Sequence, residues 1–255
     1  MGEENIESYP KAGMAIVVLL ISLGAILVLS IFVGIFLITV PVISLPSLGE
    51  LADPEGLTEF IPSLYDIVFS PQFLISFEVI CFGIWPFVFL RSRRKNLKGI
   101  LRMNWNPKFL LIGILSGVAI SLAVLGLWWT IAQITSQNHG VSLQNEALIA
   151  NYSGWKFPLG ILSLGVVTGF CEEILFRGFV MRGFENSFKS KFLAIFLSSL
   201  LFTVVHLSLM GGFALFILAM IMGFLVIKTD SIYTSMGCHA AYNSVVLVAA
   251  IFGLF

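Results

Sequence analysis

Charge is scarce in this chain: of 255 residues only 14 are Lys or Arg and 14 are Asp or Glu, 11% together, with no excess of either sign. So few solvated side chains exclude an ordinary soluble domain, and no nucleic-acid partner is expected. Cysteine is rarer still. Cys81, Cys171 and Cys238 all sit in apolar runs, which excludes a disulfide framework or a zinc-knuckle spacing and leaves them as small packing residues. There are three histidines, no His-Glu-x-x-His pair, and one of the three, His139, falls in a polar connection as an ordinary exposed side chain. The acidic leader, with Glu3, Glu4 and Glu7, has no basic start of the kind a cleavable signal peptide needs.

What is abundant is apolar surface. The hydrophobic fraction is 58% and the mean hydropathy +1.01, which predicts an all-α, polytopic transmembrane helical bundle forming a single integral membrane domain over 1–255. Seven spans are expected, at 12–40, 73–90, 109–134, 156–182, 192–209, 213–227 and 232–255, with an eighth, partly inserted helix an open alternative within 43–72. The run Arg91, Arg93, Arg94, Lys95 and Lys98 is the strongest orientation signal, whereas 43–72 and 135–155 hold no Lys or Arg. By the positive-inside rule the basic connections and the leader 1–11 are cytoplasmic, and the polar stretch 135–155 lies outside. Gly113 and Gly117 are spaced for close helix packing, and Pro86 is expected to kink the second span. Glu78, also in that span, is read as snorkelling or bonding another helix and is not placed in a site.

The chain is organised around the segment 169–178, Gly-Phe-Cys-Glu172-Glu173-Ile-Leu-Phe-Arg177-Gly. A charge at the bilayer centre costs at least about 2.5 to 3.5 kcal/mol, so three ionisable groups in one oily run mark a working site by default. Glu173 and Arg177 are i, i+4 with the carboxylate first, the favourable order for an ion pair that neutralises both. Glu172 points about 100° away from Glu173 and has only Leu175 and Phe176 as i+3 and i+4 neighbours. The pair is therefore assigned to support and Glu172 to chemistry. The alternative is that all three act as interhelical glue.

Two other spans deliver polar groups to similar depth. At ~1.5 Å per residue, Glu172 is ten residues before Arg182, His206 fifteen after Lys191 and His239 eleven after Lys228, or roughly 15, 22 and 16 Å into a core about 30 Å thick. Phe202 lies one turn before His206, and Asn243 one turn after His239.

Glu172-Glu173-x-x-x-Arg177, Phe202-x-x-x-His206 and His239-x-x-x-Asn243 resemble the three ordered motifs of the CPBP group, the CAAX prenyl proteases of the Rce type and the bacterial bacteriocin-processing (Abi) proteins. The resemblance covers the core spans 156–255. It implies an intramembrane endopeptidase, entered from the cytoplasmic side, that cuts a membrane-associated peptide or protein in CAAX-type or peptide-leader processing. Glu172 would activate water with help from His206, His239 and Asn243 would stabilise the oxyanion, and Glu173, Arg177 and Phe202 would support them. No cofactor is expected. A zinc-dependent version would use Glu172, His206 and His239 as ligands, but it leaves the general base unassigned. A non-catalytic scaffold or bacteriocin-immunity protein is the rival from another class, and a transporter is disfavoured because no inverted repeat is evident. The short chain, without a eukaryotic sorting signal, is placed in a bacterial cell membrane.

Overall fold

A computed structural model of the chain describes residues 11–26, 66–68, 70–92, 97–135, 143–206 and 212–254. Among these the elements are helical throughout: α1 (Ala12–Ile26), α2 (Pro71–Ser92), α3 (Leu97–Ile100), α4 (Pro107–Thr135), α5 (Leu143–Tyr152), α6 (Gly154–Phe188), α7 (Lys191–Val205), α8 (Gly212–Thr229) and α9 (Ile232–Ile251). Five of them, α2, α4, α6, α8 and α9, are long and apolar enough to cross a membrane, while α1 and α7 are shorter apolar helices. In order, these seven occupy the places of the seven expected spans. Residues 27–40 of the first span, most of 43–72 and His139 lie outside the described residues.

Burial sorts the helices into centre and rim. In α6 and α9, 61% and 56% of the membrane window is buried inside the protein, against 33% or less in α2, α4 and α8, so α6 and α9 form the centre. The rim turns apolar side chains outward, as Leu111, Leu115, Leu122 and Leu127 do along α4. In lipid such exposure costs nothing, and helices associate instead through close backbone approach at small residues. Gly113 and Gly117 provide that approach: a Cβ on either would collide with the α9 backbone at Thr234 O and Cys238 O. Gly126, on the same helix, has open space around it. Gly117→Ala is therefore expected to cost about 3 kcal/mol and Gly126→Ala to cost nothing or to stabilise by up to about 1 kcal/mol, measured as the thermal unfolding of the detergent-solubilised protein.

The stretch 135–155, expected as a plain polar connection, contains α5. Its Leu148 and Tyr152 are i, i+4 and buried, packing with Leu247 of α9. α7 ends earlier than the expected fifth span. The imidazole of His206 donates from Nδ1 to Phe202 O at 2.7 Å, taking the carbonyl that would bond its own backbone, whose N–H turns to Thr203 O instead.

At one end of the bundle the 101–106 connection is clasped to α6 and to the α8–α9 turn. Arg102 pairs with Glu185 at 3.1 Å and Asp230 at 2.7 Å, and Arg182 pairs with Glu185 at 2.9 Å. The Ser231 hydroxyl donates to Asn104 O, and Ile232 N–H donates to Arg102 O. These bonds fix the N-terminus of α9 relative to α6, the two helices that carry most of the site.

Candidate active site

The acidic pair sits on one turn and a half of regular helix between two widened ones. Within α6, Thr168–Glu173 is α-helical, and π-helical turns flank it at Ile161–Val167 and Ile174–Val180. Such turns trade regular backbone bonding for a chosen side-chain direction and collect at functional sites. Ser163, Thr168 and Ser198 hydroxyls occupy carbonyls around them: Thr168 donates to Ser163 O at 3.1 Å and Ser198 of α7 to Phe176 O at 2.9 Å.

Glu173 and Arg177 pair as their spacing predicts, Oε1 to Nη1 at 2.7 Å with both side chains essentially sealed from solvent. Arg177 also donates to Ala219 O of α8 at 3.2 Å, and its guanidinium stands 4.6 Å over the Phe202 ring. The same Glu173 oxygen accepts from His239 Nδ1 at 3.0 Å. One buried carboxylate thus holds α6 to itself and to α9, and it orients an imidazole besides.

Both histidines converge on Glu172. His206 Nε2 is 3.6 Å from Oε1 and His239 Nε2 is 3.7 Å from Oε2. A carbonyl or carboxylate oxygen only accepts, so each Nδ1 carries its proton, His206 toward Phe202 O and His239 toward Glu173. The nitrogen left to exchange protons in each ring is the one facing Glu172. Phe202 stands between the rings, its centroid 4.4 Å from that of His206 and 5.8 Å from that of His239. The cluster is most open at His206, whose side chain is 29% exposed, against 5% for Glu172 and 4% for His239.

The structure therefore gathers Glu172, Glu173, Arg177, Phe202, His206 and His239 into one cluster. Asn243 lies one turn beyond His239 on α9, and its Nδ2 donates to Leu164 O at 2.9 Å, bracing the first π-helical turn. Two roles escaped the spacing: the bond from His239 to Glu173, and the bracing by Asn243. Both are tertiary contacts between α6 and α9, and the level depths of residues 173 and 239 were the one available hint.

Among the described residues no group of three or more His, Cys, Asp or Glu side chains is arranged to hold a metal ion. A zinc ion needs ligand atoms about 2.0–2.2 Å from one centre, and the 3.6–3.7 Å from carboxylate oxygen to imidazole nitrogen, longer than a direct hydrogen bond, does not by itself separate an ion from a water between them.

Residues 154–245 match the family model described as type II CAAX prenyl endopeptidase, Rce1-like. Over this segment the chain is similar to that family. The Rce1-like segment starts with α6 and ends within α9, and it contains all seven residues singled out above, from Glu172 to Asn243; α1 to α5 lie outside it. At family level this supports a CAAX-type intramembrane protease, and with five helices able to cross a bilayer the chain is an integral membrane protein. No curated protein and no solved structure matches the chain.

Proposed function

We propose that the protein is an intramembrane endopeptidase in which Glu172 activates water without a metal ion. The observation that carries this reading is the meeting of two imidazole nitrogens on one buried carboxylate. Water bound at the open side donates one proton toward Glu172 Oε1 and the other toward His206 Nε2. As Glu172 takes the first, the water oxygen bonds to the scissile carbonyl carbon, and the negative charge moves to the carbonyl oxygen. His239, held at Nδ1 by Glu173, presents Nε2 to that oxyanion. Asn243 has a second amide proton for the same purpose. When the C–N bond breaks, the proton held by Glu172 passes to the departing amine. Arg177 and Phe202 keep the two rings in register.

The basic end carrying Arg102, Arg182 and Lys228 faces the cytoplasm in this reading, and the substrate is a membrane-associated peptide. Incubating the purified full chain with a farnesylated peptide ending in a CAAX sequence, and with the same peptide lacking the lipid, tests it. Cleavage at one internal peptide bond is expected for at least the lipidated form, read by mass spectrometry. Intact peptides in both arms would refute the proposal.

A further inference from the structure

The buried acid Glu78 belongs to no motif. It ends the first regular stretch of α2, and a π-helical turn, Val79–Gly83, follows immediately. That turn presses against the site: a Cβ on Gly83 would meet Cys171 Sγ at 3.1 Å, one residue from Glu172. Glu78 is 6% exposed, so it does not snorkel to the interface. It interacts electrostatically with Glu172 and with the thiols of Cys81 and Cys171, and the Thr168 hydroxyl reaches its carboxyl group.

Two facts make this placement informative. The first concerns bonding: Glu78 Oε2 and Glu172 Oε2 are both buried without a hydrogen-bond partner. Native proteins seldom leave one such oxygen, and each costs about 1–3 kcal/mol. The second is charge. The groups facing Glu172 are Glu78 from α2, Glu173 and Arg177 from α6, His206 from α7 and His239 from α9, and the one permanent cation, Arg177, is committed to Glu173. Two like-charged carboxylates oppose one another in low dielectric, whereas a carboxyl group and a carboxylate brought together share one proton in a strong hydrogen bond.

We propose that Glu78 is a positioning residue of the site, donating a hydrogen bond from its acid form to the inner oxygen of Glu172 and so aiming Glu172 Oε1 at His206 and the attacking water. The site then extends beyond the matched segment into α2. The inference rests on the reading of Glu172 as the base. Its rival is that Glu78 and Thr168 merely tie α2 to α6.

Glu78→Leu and Glu78→Gln separate the two. Leucine removes the donor and also an unpartnered buried acid, so kcat for a cleaved CAAX peptide falls roughly tenfold to a hundredfold with KM unchanged, and thermal stability stays level or rises. Glutamine keeps an N–H donor and restores kcat to within a few-fold. Wild-type turnover in Glu78→Leu would overturn the proposal. So would a Leu variant that loses stability or fails to assemble, or a Gln variant that recovers no activity, because those are the marks of a structural tie. With active wild-type protein and inactive Glu172→Gln as references, each of these failures leaves the protease reading standing. A wild-type chain that cuts nothing removes both.

Discussion

Glu172→Gln is expected to lower kcat for peptide cleavage by roughly a thousandfold, with KM and assembly little changed. The amide keeps the shape of the side chain and its place between the imidazoles but has no basicity for the water proton. Removal of a charge from a 5%-exposed position does not strain the fold, since Arg177 is neutralised by Glu173 and not by Glu172. Steady-state kinetics with circular dichroism of the same preparation measures both sides. A variant cutting at the wild-type rate would leave Glu172 without a role in the chemistry. His206→Ala should lose less, because His206 shares the water and does not take the transferred proton in this scheme.

The second large effect concerns the ion pair beneath the site. Arg177→Met strands Glu173 as a buried charge whose remaining partner is His239, and truncating one member of a buried pair costs about 3–5 kcal/mol. The variant is expected to assemble poorly, seen as aggregation on size-exclusion chromatography in detergent. Glu173→Leu combined with Arg177→Met replaces the pair by apolar volume and should recover assembly, with a coupling of about 2 kcal/mol between the two changes. Activity should not return, because His239 Nδ1 loses its acceptor and the ring its orientation. An active double variant would show that the Glu173–His239 bond is dispensable.

The centre of the site was legible in the sequence for a specific reason. A membrane penalises every ionisable group, so Glu172, Glu173, Arg177, His206 and His239 stood out singly, the i, i+4 order paired Glu173 with Arg177, and counting residues from the basic ends placed three spans at one depth. Direction around a helix was less legible. The π-helical turns beside Thr168–Glu173 and after Glu78 shift side-chain direction away from the 100° rule, and nothing in local composition announces them. Glu78 was legible only as an acid that snorkels or bonds another helix, because composition does not say which helix it faces. The stop at His206 likewise depends on an imidazole taking its own helix's carbonyl, and α5 on docking of two side chains in an otherwise polar stretch.

Whether the Glu172 carboxylate itself, and not a bound ion, activates water is decided most directly by the cleavage rate of exhaustively chelated protein. The account predicts an unchanged rate after removal of all divalent metal, verified by elemental analysis of the same sample, and no gain when Zn²⁺ is returned. Loss of activity on chelation, restored by stoichiometric Zn²⁺, would contradict it.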